Sequence, residues 1–162
     1  MRDPGRHGAC WYTAVNDTRE RLQQQVEEWC AEAKRLADCG KEGDGLAVYR
    51  QAADAMPGAP WLQQRTAELA RKLNLRDVAI VHFRRAAAAF RAAGFQKRSF
   101  APLRAAWTVA RHALPDSTPL FVELSRELAE LQTSLGLAAD ASVTLEYANE
   151  ALRRAGVRDL VA

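Results

Sequence analysis

A chain of 162 residues and 17.9 kDa is long enough for one domain with a real core, and 48% hydrophobic against 27% charged residues excludes a disordered composition. The net charge of +3 conceals a segregation: residues 17–54 carry six basic and nine acidic side chains, residues 76–113 eight basic ones against Asp77 alone, and residues 116–159 four basic and eight acidic. No apolar run is long enough to cross a bilayer, since Arg91 interrupts the alanine-rich stretch from Ala86 to Ala93, and no apolar segment of a secretory leader follows Arg2 and Arg6.

Residues 1–15 are polar and turn-rich (Asp3-Pro4-Gly5, His7-Gly8) and read as a disordered segment. The first helix is expected from Asp17, which forms a capping-box-like pair with Glu20; both carboxylates suit the positive end of the helix dipole. Leu22, Val26, Trp29, Ala33 and Leu36 then alternate steps of four and three, which places them on one face, and Gly40 ends the helix. A second helix is expected from Asp44 to Ala55, stopping at Pro57-Gly58. A third opens at Pro60, well tolerated in a first turn, and ends near Leu73-Asn74. The fourth runs from Arg76 to Ala93 and stops at Gly94. The fifth starts near Ser99, with Pro102 in its first turn, and closes before Pro115. The sixth is capped by Ser117 or Thr118, has Pro119 in its opening turn and reaches Leu135. The seventh spans Ala138 to Ala155, with Gly156 as its stop. Short connections imply antiparallel neighbours, and no segment has the pattern of a strand. One helical domain is expected over residues 16–156, followed by a short tail at 157–162.

A period of 34 residues runs through the first half of this pattern. The stretch from Gly45 to Ala52 returns as Ala79 to Ala86, with small residues matched at 45/79, aromatics at 49/83 and alanines at 52/86. A fixed period of this length marks an array of helix pairs in which no unit buries its own apolar face and neighbours cover it. The segment from Val26 to Ala59 resembles a tetratricopeptide repeat: Trp29, Ala33 and Gly40 stand at its aromatic, small and turn places, and Gly45, Tyr49, Ala52 and Pro57 at its small, aromatic, alanine and closing-proline places. The next unit keeps phase through Ala67, Ala79, Phe83 and Ala86, with Asn74 replacing the turn glycine. Leu103, Trp107, Ala110 and Pro115 resume the pattern 24 rather than 34 residues after their counterparts, so the preceding helix is longer than standard and a first helix is missing or merged. Ser125, Gly136, Ala141, Leu145 and Ala148 fit a final pair. The resemblance implies an all-α, antiparallel helix-pair solenoid, a superhelix of about seven helices. In it Trp29, Tyr49, Phe83 and Trp107 are expected to be buried between helices, and Phe121 and Tyr147, which recur at packing places, are likewise read as core.

Catalytic and metal signatures are missing from the sequence. Gly40-Lys41-Glu42-Gly43-Asp44-Gly45 lacks the glycine spacing and Lys-Ser/Thr of a phosphate loop and reads as an inter-helix turn. His7, His82 and His112 are far apart, none at ligand spacing from a cysteine, and are expected at surface or helix-terminal positions. Cys10, Cys30 and Cys39 form no CxxC pair, and an odd count argues for reduced thiols in a cytoplasmic setting. No enzyme activity, cofactor or metal is expected.

The basic segment holds the functional signal. Arg84 and Arg91 are seven residues apart, as are Lys97, Arg104 and Arg111, so each set lines one helical face. Two readings stand: a solvated surface, or a positive stripe whose opposite charges a partner supplies. In the family the resemblance implies, the first helix of each pair lines the concave side. Carried over, this points Gln64, Arg65, Glu68, Arg71 and Lys72 toward the groove, with Lys34 and Asp38 from the preceding unit and Trp61 at the groove edge or packed under the preceding turn. The expected function is a non-catalytic adaptor that binds a protein or peptide partner, acidic in character, through these residues and the Arg84/Arg91 stripe. The alternatives are a chaperone resembling the secretion-system members of the repeat class, and nucleic-acid binding through residues 76–113, which the acidic flanks disfavour. Acidic ends of one copy meeting the basic middle of another would also give weak, salt-sensitive self-association.

Overall fold

The computed structural model describes residues 8–112 and 118–156, with side chains from residue 17 onward. These residues form seven α-helices and no strand: α1 (Gly8–Asp38), α2 (Glu42–Ala55), α3 (Pro60–Lys72), α4 (Arg76–Ala92), α5 (Gln96–Arg111), α6 (Thr118–Ser134) and α7 (Ala138–Arg154). The all-α fold and helix number agree with the sequence pattern, and two starting points differ. α1 begins at Gly8 rather than Asp17; no proline or glycine stands between them to break it. Residues 8–15 are thus helical, not irregular, while residues 1–7, Pro115, Ser117 and the tail 157–162 lie outside the described residues. α5 begins at Gln96, so Pro102 falls in the second turn, not the first, and leaves the Arg98 carbonyl without its intrahelical donor. α4, at 17 residues, is longer than the 13-residue α3 and the 14-residue α2, as the shortened spacing after it requires.

The chain divides into two compact units, residues 1–56 and 57–162, where the sequence suggests one domain over 16–156; the division falls at Pro57-Gly58. In the first unit α1 packs on α2. In the second, α3 through α7 each pack on the next helix in sequence, the nearest-neighbour arrangement of helical-repeat proteins.

The turns explain how consecutive helices fold back. Gly40, Asn74, Gly94 and Gly136 each follow a helix in the left-handed region, with φ of 77°, 58°, 79° and 80°. The next N–H reaches back five residues in every case, Lys41 to Leu36, Leu75 to Ala70, Phe95 to Phe90 and Leu137 to Gln132, at 2.8–2.9 Å. This satisfies carbonyls that a helix end leaves without partners. Asn74 takes the place of glycine here because its short polar side chain tolerates the left-handed region.

Burial repeats with the sequence period. Gly45, Leu46, Tyr49, Ala52 and Ala53 are buried on α2, and Ala79, Ile80, Phe83, Ala86 and Ala87 in the same places on α4. Leu145 occupies the aromatic place on α7 yet is 40% exposed, because no described helix follows to cover it. α7 carries charge instead: Glu150 bonds Arg153 at 3.0 Å and Arg154 at 2.8 Å, and these hydrogen bonds hold its carboxyl below the usual glutamate range. Tyr49 and Phe83 are buried as expected, whereas Trp29 and Trp107 are only half-buried. Trp107 is half-buried because it lines an open cleft between α5 and α7.

The tightest crossing in the first unit is at Gly45. A Cβ there would stand 2.7 Å from the Ala33 carbonyl oxygen and 3.3 Å from the Ala37 amide nitrogen, both backbone atoms of α1 that cannot rotate away. Gly43, two residues earlier and on the other side of α2, has nothing within 4 Å of the corresponding point. Gly45→Ala should therefore lower the thermal midpoint, since overpacking costs about 1–3 kcal/mol and outweighs the roughly 1 kcal/mol gained in helix propensity. Gly43→Ala should leave the midpoint unchanged or raise it. Equal shifts in the two variants, measured by circular dichroism, would contradict the close crossing. In the second unit, Phe83→Ala should cost roughly 3–5 kcal/mol in urea titrations.

Candidate functional site

Among the described residues no group of three His, Cys, Asp or Glu side chains can hold a metal ion, and no helix is long and apolar enough to cross a membrane. His82 is not the surface or helix-terminal residue its sequence position suggests. It is 4% exposed, and its Nδ1 lies 2.7 Å from Oε1 of the fully buried Gln63, so that the imidazole donates to the amide and ties α4 to α3.

The arginines of α4 also find partners inside the chain. Arg84 Nη2 lies 2.7 Å from Glu123 Oε1 and 3.2 Å from Glu127 Oε2, and Arg91 Nη2 lies 2.6 Å from Glu127 Oε1. Glu127 Oε2 is shielded from water and makes no aligned hydrogen bond, so it is held by charge alone. Burial acts to lower the Arg84 pKa, but the hydrogen bond to Glu123 and the Glu127 charge outweigh it and raise the guanidinium above its ordinary value. This corrects the expectation that a partner supplies the acids for the Arg84/Arg91 stripe: α6 supplies them. The two glutamates, four apart on α6, face arginines seven apart on α4.

The basic residues of α5 behave differently. One side of α5 (Ala105, Thr108, Val109, His112) and the α3–α4 junction (Arg71, Asn74, Arg76) enclose a cleft of about 430 Å³. Arg76 is committed there, donating to the His112 carbonyl at 3.2 Å and to Asn74 Oδ1 at 3.3 Å. The other side of α5, with Phe100, Arg104, Trp107 and Arg111, forms a second cleft of about 270 Å³ with α7, floored by Leu128 and Gln132 of α6. In it the Arg111 guanidinium sits 3.9 Å over the Tyr147 ring and 5.5 Å from that of Trp107, and the two rings meet edge-on at 5.7 Å. Trp107 Nε1 donates to Ser125 Oγ at 2.8 Å, which fixes the indole on α6.

The residues singled out in the sequence distribute unevenly over these features. Lys34 and Asp38 are exposed on α1, in the first unit. On α3, Arg71 lines the cleft shared with α5, Gln64 bonds Glu68 at 3.2 Å, Arg65 and Lys72 are exposed, and Trp61 stands 46% exposed. Arg104 and Arg111 stand in the sequence as one face of the basic segment but not among the expected partner-binding residues, and neither does Tyr147. The seven-residue step from Arg104 to Arg111 was the available signal, but Tyr147 reads as a core residue until the open side of α5 is seen.

Fold and clefts together define an all-α helical-repeat chain with a basic, cleft-bearing second unit. No protein-family model and no curated protein matches its sequence. The chain is similar to solved structures of MamA: one titled MamA MSR-1 C2 (14% identity, 80% of this chain and 78% of that one, TM-score 0.36), one titled crystal structure of MamA (13%, 96% and 98%, 0.37) and one titled crystal structure of MamA protein (12%, 85% and 78%, 0.36).

A double-mutant cycle of Arg84→Gln and Glu127→Gln in urea should return a coupling on the order of 1 kcal/mol, since both side chains are partly shielded from solvent. The same cycle with the more exposed Glu123 should return less. Additive effects in both would show that the α4–α6 bridge contributes nothing to stability.

Proposed function

We propose that this chain is a non-catalytic adaptor that holds an acidic segment of a protein partner on the exposed basic residues of its second unit. The observation that carries the reading is the unequal fate of its arginines. Those of α4 facing α6 are neutralised by Glu123 and Glu127, whereas Arg65, Arg71, Arg104 and Arg111 have no ion pair among the described residues. Arg65 and Lys72 are seven apart on α3 and share one stripe, while Gln64, Glu68 and Arg71 share the neighbouring one. Guanidinium groups left without internal acids donate strongly to carboxylates, which gives such a surface a preference for acidic protein segments. The resemblance of the repeat pattern to tetratricopeptide repeats, whose role is to hold other proteins, supports the same reading. Lys34 and Asp38 enter it only through that resemblance, and the Arg84/Arg91 stripe no longer takes part.

The charge-reversed variant Arg65→Glu/Lys72→Glu tests the α3 surface. Its far-UV spectrum and thermal midpoint should match those of the native chain, because exposed substitutions shift stability by about 0.5 kcal/mol or less. It should nonetheless lose a partner that the native chain retains on a column after nuclease treatment, and native binding should weaken as salt rises through the screening range. Retention of the partner by the folded variant would refute the assignment to α3.

A further inference from the structure

The cleft between α5 and α7 has features that the α3 surface does not. Arg111 is stacked on Tyr147 and beside Trp107, and it makes no ion pair or side-chain hydrogen bond among the described residues. A guanidinium held over an aromatic ring can still donate its N–H groups to a carboxylate, which it binds through two parallel bonds. Arg104, two turns earlier on the same side of α5, adds a second unpaired cation. Val143 and Tyr147, 49% and 40% exposed, give the opposite wall an apolar surface. The floor is polar but satisfied, since the Thr144 hydroxyl lies 2.9 Å from Gln132 Oε1 and from the Asp140 carbonyl. Asp140 contributes one carboxylate to the lining, so the cleft offers two cations against one anion.

We propose that this cleft is a receptor for a glutamate- or aspartate-containing peptide segment, with the acidic side chain held by Arg111 and Arg104 and an adjacent aliphatic side chain laid on Val143 and Tyr147. The volume of about 270 Å³ lies just below the range for drug-sized ligand pockets and fits one or two side chains. Asp140 sets the charge preference. It disfavours a doubly charged phosphate or a nucleic-acid backbone, and its free oxygens accept a peptide N–H. The proposal rests on the adaptor reading but assigns the acidic contact to a different surface from the α3 stripe.

Trp107 supplies the reporter, because its indole N–H is fixed to Ser125 beside Arg111. In ¹H–¹⁵N spectra of the full chain, with the indole signal assigned through Trp107→Phe, acetyl-Leu-Glu-Leu-Glu-amide is titrated into the millimolar range. The indole should shift in a saturable way. The Gln counterpart of the peptide should bind at least about tenfold more weakly, as expected for loss of charge-assisted hydrogen bonds. Arg111→Gln and Arg104→Gln, both exposed and outside the core, should each weaken the Glu peptide to a similar degree, and Arg65→Glu/Lys72→Glu should leave the titration unchanged. The absence of any shift, equal binding of the Glu and Gln peptides, unchanged binding in both arginine variants, or a larger response to a single-stranded oligonucleotide would each overturn the proposal. Loss of the response in the α3 variant would overturn the cleft while leaving the adaptor reading intact. Conversely, a partner that survives the α3 reversal on the column would leave the cleft titration standing.

Discussion

The structure depends on how closely its helix backbones approach, and that distance is set by side chains that are nearly absent. Gly45 sits against the α1 backbone where a single methyl group would collide with a carbonyl oxygen. In the second unit Ala67, Ala70, Ala79, Ala86, Ala106 and Ala110 are fully buried, small side chains that let neighbouring helices approach. Interiors packed to crystal-like density have no slack to absorb an added carbon. The larger residues, Leu62, Ile80, Leu103 and Phe121 among them, fill the spaces between these close crossings.

Adjacent helices are tied by polar pairs as well as by packing. His82 and Gln63 join α4 to α3, Trp107 and Ser125 join α5 to α6, and Thr144 and Gln132 join α7 to α6. Each pair places a donor against an acceptor at one register only, whereas alanine surfaces slide past one another with little change in contact. Such pairs add about 1 kcal/mol each when made and cost more when one member is left unpaired, so they act mainly against misregistered packing.

The helices, their turns and the 34-residue period were legible because each is written in local sequence. Asn74 at a turn, the match of Phe83 to Tyr49, and the shortened spacing before Trp107 all survive comparison with the fold. What could not be read is what lies across a helix from a given residue. Arg84/Arg91 and Arg104/Arg111 share the same seven-residue step, yet the first pair bonds glutamates 36 to 39 residues away, while in the second Arg111 lies over aromatic rings and Arg104 lines the cleft beside them. His82 and Tyr147 fail for the same reason: one looked exposed and is buried against Gln63, the other looked buried and walls a cleft. Periodicity states which face of a helix is covered, and only the neighbour's position states by what.

The α4–α6 bridge has a kinetic consequence. Nearly all packing in the second unit joins helices adjacent in sequence, and chains rich in such short-range contacts fold quickly, in microseconds to milliseconds. Arg84 with Glu123 and Arg91 with Glu127 cross from α4 to α6, and Arg111 with Tyr147 from α5 to α7, so these contacts form only once the later helix is in place. An interaction completed after the transition state slows unfolding while leaving the folding rate nearly untouched. An ion pair of this kind, where it closes after the transition state, lengthens the time the second unit stays closed without speeding its assembly.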